Sequence, residues 1–600
     1  MNAHCRASTF MTTRLEEYAL IGDGESAALV GKGGSIDWLC WPRFDSDACF
    51  AALVGREANG RWKIGPPDDH AHATWRYREN TLIVETEFVV DSGRAKLIDF
   101  MPMRDGAPSL ARRVVGLQGE VHLRMDLGLR FGYGTVPPWY ETDSRRLVGR
   151  VGPDLAVLYS DVPVSVEDHD AIAEFSVKEG QTADFLLRHG SSTAAPPPPA
   201  SVQRLLGETH DYWCRWIDRF KKPTDWPDAV KRSLITLKAL INRPTGGILA
   251  APTTSLPEVP GGSMNWDYRY SWLRDSTFTL ASLLNAGYAE EAEAWRDWIL
   301  RTIAGTPEHV QIMYRIDGGR ELSERTIDWL EGYDWSRPVR AGNGAAGQRQ
   351  IDIYGELIDA LHLADHAGLD GSPHADEIRL PLVNHVERVW CERGHGIWES
   401  RGEPRHYVYS KIMAWAAIDR FLLNSNVSRT LETHEKSRLL RLKQAIHGEV
   451  CDEGFHPGVG SFVQYYGGEE LDASLLLIPA LQFLPATDPR MIGTVARVEK
   501  ELVDSGLVYR SSKARESSQG AFLACSAWLA DCYLAQGRQQ EARATFERLL
   551  SVRGELGLLS EEYNIRGRRL CGNYPQGLSH LAIVTTGIGL CGPVLQRGGG

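Results

Sequence analysis

Up to about residue 190, apolar and polar positions alternate with period two. "TLIVETEFVV", "AKLIDFMPM", "VHLRMDLGLRF", "LAVLYSDV" and "AEFSVKEGQTADFLLRHG" are separated by Gly, Asp and Pro turns. Successive side chains of a strand point to opposite faces, so this spacing predicts many short, half-buried strands. With few helical stretches between them, they predict an antiparallel β-sandwich domain over 1–190. "SSTAAPPPPAS" at 191–201 breaks the pattern and reads as a stiff polyproline-type linker. A helix from about Val202 to Phe220 follows, completing a linker unit over 191–226.

From Asp228 the period changes from two to that of a helix. Twelve segments are expected: 227–243, 273–287, 289–304, 350–367, 375–391, 407–424, 431–449, 471–483, 489–502, 518–536, 538–552 and 574–590. Their connections alternate in length. Links such as "AGYAEE", "HAGLDGSPHA" and "LAQGRQQ" are short, whereas 244–272, 305–349, 392–406, 450–470, 503–517 and 553–573 are long. A ring of six helical hairpins produces this asymmetry, with short turns at one end and long loops at the other. The fold expected is therefore mixed, an all-β N-terminal sandwich followed by an all-α (α/α)6 barrel over 227–600. The long-loop end is where a site can be built on a rigid scaffold.

Composition narrows the choice of partner. A formal net charge of -12 argues against a polyanion such as nucleic acid. No stretch approaches the ~18 uninterrupted apolar residues of a membrane span. The N-terminus shows no apolar signal core, so a cytoplasmic protein is expected. The ten cysteines form no CxxC arrangement, and Cys525 and Cys532 read as small buried hydrophobes in a helix. The 18 histidines show no HExxH-type spacing, so neither a metal nor another cofactor is expected. Homo-oligomer formation is left open.

The chemistry-bearing residues fall in the long loops. "NWDYRYSWLRDS" carries Trp266, Trp272, Arg274 and Asp275; "YDWSRPVRAGNG" carries Trp335 and Arg337; "GIWESRGEPRHYVYS" carries Trp398 and Glu399. "SFVQYYGGEELD", "LVYRSSKARESS" (with Arg510) and "LLSEEYNIRGRR" (with Glu561 and Glu562) complete the set. Each has an ordinary alternative. Asp275 could serve only the dipole of its helix, the tryptophans could plug a barrel mouth, and Glu399 or the Glu561–Glu562 pair could be solvated surface acids. Their coincidence on one face points instead to cleavage of a glycosidic bond. One carboxylic acid protonates the leaving oxygen while a carboxylate activates water. Aromatic faces stack on sugar C–H surfaces, and Arg–Asp pairs fix hydroxyls by charge-assisted hydrogen bonds.

Those segments, in that order, resemble the glucoamylase-type glycoside hydrolases, family 15, across nearly the whole chain. The likeness is strongest to the two-domain bacterial and archaeal branch, which includes glucoamylases and trehalases. "GDGESAALVGKGGSIDWLCWPRFDS", "WDYRYSWLRDS", "WSRPVRAGN", "GIWESRGEPRHYVYSKIMAW", "QGAFLACSAWLADCYLAQG" and "LLSEEYNIRGRRLCGNYPQGLSH" carry it. The resemblance implies the same two-part fold and inversion at the anomeric carbon. It implies Glu399 as general acid and Glu561, rather than Glu562, as general base. It further implies terminal-sugar contacts at Arg274 and Asp275, a stacking Trp335 with Arg337 nearby, and a contact at Arg510. One departure stands out: Gln519 precedes Gly520 where that branch usually has an acid, and Ser511, Ser512 and Lys513 follow Arg510. Both changes would sit where a second sugar lies, so leaving-group choice is where this chain should differ.

The function expected is an exo-acting, inverting α-glucoside hydrolase, with trehalose and short malto- or isomalto-oligosaccharides as competing substrates. A disaccharide phosphorylase would replace the second catalytic carboxylate by a basic pocket. A non-catalytic carbohydrate-binding protein would lack one of the acids. Both Glu399 and Glu561 are present.

Overall fold

A computed structural model describes residues 13–67, 72–104, 106–143, 146–303, 306–369, 373–424 and 431–593. The N-terminal part is a large antiparallel sheet of fifteen strands, organised by the twenty-residue strand Ser109–Gly128. Its first half pairs with Gly93–Phe100 and Thr182–Ser191, and its second half with Arg61–Gly65 and Asp170–Lys178. The change of partners falls at Gly116–Gly119, where side chains do not fit. A Cβ on Gly116 would lie 2.1 Å from the Lys178 carbonyl oxygen, and Gly119 has φ +62°. The alternation read from the sequence holds: Asp170–Lys178 buries every second residue.

After the proline-rich tract, helix α1 (Val202–Ile217) leads into a helical C-terminal part. Its long helices are α2 (Pro227–Ala239), α3 (Leu273–Ala286), α4 (Ala289–Thr302), α5 (Asp352–His366), α6 (Pro373–Val389) and α7 (Val408–Leu423). They continue as α8 (Thr433–Glu453), α9 (Pro489–Glu501), α10 (Leu523–Ala535), α11 (Gln539–Leu550) and α12 (Gly577–Gly589). Helices α3, α5, α7, α10 and α12 are buried nearly all round and form the inner set, whereas α4, α9 and α11 bury only one stripe. The inner helices neighbour one another in sequence: α3 on α5, α5 on α7, α10 on α12, and α12 back on α3. Between α7 and α10 the contact runs through the 3-10 turn Ala473–Leu477.

That turn corrects the expectation of a helix over 471–483. Asp472 caps it through the Ser474 N–H, but Pro479 supplies no N–H to carry the ladder on, and the 3-10 turn ends at Leu477. The helix expected from residue 518 starts only at Leu523, because Ala521–Phe522 is taken into a three-stranded sheet with Glu562–Asn564 and Arg569–Cys571. The other segments lie within a few residues of their expected limits. Cys525 and Cys532 are buried, unpaired thiols on α10. No helix among the described residues is long and apolar enough to cross a membrane.

The N-terminal sheet grips the loops at one end of the helical part. Trp38 Nε1 donates to the Pro252 carbonyl at 2.8 Å, the Leu570 N–H donates to Glu16 at 2.6 Å, and Tyr574 donates to the Tyr18 carbonyl at 2.8 Å. Buried Arg269 joins Asp267 (2.7 Å) to the Ser46 carbonyl (2.7 Å) and Tyr133 Oη (2.5 Å). One hydrophobic core is continuous across both parts.

Candidate active site

Long loops from several helix pairs meet at a cavity of about 360 Å³ lined by Glu258, Trp266, Tyr268, Trp272, Arg274, Asp275, Trp398, Glu399, Arg510 and Glu561, among others. Trp266, Tyr268 and Trp272, on the segment that runs into α3, all reach the cavity. Tyr268 and Trp272 meet edge to face with centroids 5.2 Å apart. Arg274 and Asp275 occupy the first turn of α3. Asp275 accepts from Arg274 Nη2 at 2.9 Å and Nε at 3.2 Å, which makes it part of a charged pair on the cavity wall rather than a lone helix-end acid.

Glu399 is presented by a tight turn in which its N–H donates to the Gly396 carbonyl at 3.1 Å. Gly396 has φ +70°, and a Cβ there would meet the Tyr407 ring at 2.8 Å. Glu399 itself has φ +53°, a left-handed conformation that costs a side-chain-bearing residue about 1–3 kcal/mol and clusters at functional sites. Its Oε1 accepts from Trp272 Nε1 at 2.6 Å and lies 3.5 Å from Arg274 Nη1. Burial nevertheless outweighs Arg274 and Trp272, so the carboxyl stays protonated to higher pH than an ordinary glutamate. The neighbouring Trp398 packs on Phe522 and donates Nε1 to Asp472 at 2.8 Å.

Glu561 and Glu562 are separated by strand alternation. Glu561 faces the cavity, while Glu562 turns away and accepts from the Gly520 N–H at 2.8 Å. Tyr268 Oη donates to Glu561 Oε1 at 2.8 Å; Glu561 Oε2, also buried, has no hydrogen-bond partner among the described residues. Burial, then the negative charge of Glu258, raise the pKa of Glu561, opposed by Arg510 and the Tyr268 hydroxyl. The Tyr268–Trp272 ring pair thus holds one carboxylate at each end.

Glu399, Glu561, Arg274, Asp275, Trp272, Trp398 and Arg510 all line this cavity. Trp335 and Arg337 do not. Trp335 is 64% exposed, its ring 5.8 Å from the Arg56 guanidinium, and the Tyr333–Trp335 turn is tied to the N-terminal part through the Gly332 N–H and the Val54 carbonyl. Asn343 and Ala345, later in the same loop, reach the cavity instead. Among the lining residues Glu258 and Tyr268 were missed, while Trp266 belongs to the motif already read as chemistry-bearing. Tyr268 was readable from its place in the same motif, four residues before Trp272; Glu258 carried no comparable signal. Among the described residues no cluster of three or more His, Cys, Asp or Glu is placed to hold a metal ion.

Residues 226–588 match Glycosyl hydrolases family 15, and residues 8–213 match the trehalase-like N-terminal family. The chain belongs to glycosyl hydrolase family 15. It is a glycoside hydrolase in which the two family segments fall on the helical part and the N-terminal sheet. Among its relatives, a protein named trehalase from Thermoplasma volcanium is 32% identical, the match covering 97% of this chain and 94% of the relative. A trehalase from Mycolicibacterium smegmatis is 35% identical over 95% of this chain and 90% of its own length. A bacterial glucoamylase solved with acarbose shares the fold, with TM-score 0.69 at 12% identity, covering 98% of this chain and 96% of the other.

Proposed function

We propose that this family 15 enzyme is an inverting, exo-acting hydrolase of α-glucosides, with α,α-trehalose as its preferred substrate. The observation that carries the proposal is the pair Glu399 and Glu561, held on two loops of one cavity at the two ends of an aromatic pair, with Arg274–Asp275 beside them. Glu399, kept protonated by burial, gives its proton to the glycosidic oxygen as the C1–O bond breaks. Glu561 takes a proton from water as the water oxygen bonds to C1 from the opposite face, through its unpartnered Oε2. Inversion needs the carboxylates about 6.5–9.5 Å apart so that water fits between base and sugar, and the intervening Tyr268–Trp272 pair supports that wide spacing. Arg274 and Asp275 take the hydroxyls of the terminal glucose, while Trp272, Trp398 and Tyr268 supply apolar faces.

The preference for trehalose rests on the relatives named above, matched nearly end to end, and on a cavity at the small end of the usual range of ~300–1,000 Å³ for ligand pockets. The architecture inferred is a β-sandwich over 1–190, a linker over 191–226 and an (α/α)6 barrel over 227–600, in a cytoplasmic enzyme. Assaying trehalose, maltose, isomaltose and soluble starch side by side tests the assignment. Trehalose should give the highest kcat/KM, and free glucose rather than glucose 1-phosphate should appear even with phosphate present. Starch as the best substrate would overturn the trehalose assignment, and glucose 1-phosphate would overturn hydrolysis.

A further inference from the structure

Among the described carboxylates of the cavity, Glu258 is left without a task by the chemistry above. Its loop is tied down on both sides. The Glu258 N–H donates to the Met264 carbonyl at 3.2 Å, and the Gly572 N–H donates to the Pro257 carbonyl at 2.8 Å. The second bond fastens the loop to the segment that carries Glu561. The side chain is buried and held from two directions: Trp266 Nε1 donates to Oε1 at 2.9 Å, and Arg510 Nη2 donates to Oε2. Arg510 also gives Nε and Nη2 to Gln519 Oε1, at 3.0 and 2.6 Å. Trp266 in turn has the Arg401 and Arg340 guanidinium carbons 4.0 and 4.5 Å from its ring centre.

The cavity therefore holds two charged pairs, Arg274–Asp275 and Arg510–Glu258. A disaccharide presents two sugars, and the first pair is assigned to the terminal glucose. A carboxylate offers about four lone-pair sites; Trp266 and Arg510 use two, which leaves acceptors for sugar hydroxyls beside a fixed guanidinium donor. We propose that Glu258 is the specificity-determining residue of the leaving-group half, accepting hydroxyls of the departing sugar while it holds Arg510 in place to donate to them. This rests on the assignment of Glu399 and Glu561 above. Glu258 also bears on the base. The groups acting on Glu561 are Glu258 and Asp275, which raise its pKa, and Arg510 and Tyr268, which lower it.

The test compares α,α-trehalose with α-D-glucosyl fluoride, whose leaving group has no hydroxyls, using the full-length enzyme. Glu258→Gln should lose ~10–100-fold in kcat/KM on trehalose, the scale of losing a charged hydrogen-bond partner, and several-fold less on the fluoride. The acidic limb of its pH profile should move to lower pH, because a negative charge next to Glu561 is gone. Equal losses on both substrates with an unmoved limb would mark Glu258 as merely structural and overturn the proposal. Should Glu258→Gln fail to fold, Glu258→Asp keeps the charge and shortens the reach. It must then lower the trehalose-to-fluoride ratio without moving the limb, and an unchanged ratio would overturn the proposal equally. No wild-type turnover of either substrate would remove the hydrolase assignment and this inference with it. Normal wild-type turnover with an unaltered ratio in the variants would remove this inference alone.

Discussion

Glu399 and Glu561 meet opposite requirements in one buried environment. Burial raises the pKa of both, which suits an acid and hinders a base. The Tyr268 hydroxyl and the Arg510 guanidinium oppose that hindrance by favouring ionised Glu561, while burial and Glu258 keep the net shift upward, to about 8. Tyr268→Phe removes one of those donors, so the pKa of Glu561 should rise further and the acidic limb of kcat/KM should shift to higher pH, opposite in sign to Glu258→Gln. A pH–rate profile of the two variants checks both signs. Glu399→Gln should cut kcat on trehalose by ~10²–10⁴, the range of general acid catalysis, and by less on α-glucosyl fluoride, whose departure needs no proton. Equal losses would move the acid role elsewhere. That Glu399 and Glu561 line one cavity was legible in the sequence because each sits in a short ordered motif of a long loop. Glu258 was not, because its meaning comes from Arg510, a neighbour 252 positions away.

At the scale of elements, the site depends on backbone that few residues can adopt. Gly396→Ala puts a Cβ on a left-handed residue and into the Tyr407 ring, and should lower stability by about 1–3 kcal/mol while displacing the turn that aims Glu399. Urea unfolding measured beside kcat would show a loss in both; unchanged kcat would mean that the turn does not aim the acid. The inner helices impose a second limit. Gly355 on α5 lies where a Cβ would come 2.1 Å from the Met413 carbonyl oxygen of α7. Gly355→Ala should therefore cost about 1–3 kcal/mol by overpacking, visible as a lower Tm. Helix existence was legible because burial on all sides writes a dense apolar run. The 471–483 segment shows where that signal stops: Leu475, Leu476, Leu477 and Ile478 are core residues, yet Pro479 supplies no N–H to carry the ladder on.

At the scale of the whole molecule, the N-terminal part is bonded to the loops that line the cavity. Arg269 lies three residues before Trp272 and donates to Ser46 and Tyr133 of the N-terminal part, so the loop that carries Trp266, Tyr268 and Trp272 is held from outside the helical part. Arg269→Met would leave Asp267 buried without its ion-pair partner, which should cost about 3–5 kcal/mol, with a fall in Tm and a parallel fall in kcat. None of these ties between the two parts was legible from periodicity, which reports the faces of an element and not its distant partners. The claim that joins all three scales is that Glu399 and Glu561 work as acid and base across a water molecule. Proton NMR of the first glucose released from an α-linked substrate, read before mutarotation, tests it most directly. The separated carboxylates predict β-glucose as the initial product, from the newly formed C1–O bond to water. Initial α-glucose, or a glycosyl adduct trapped on Glu561, would contradict the mechanism.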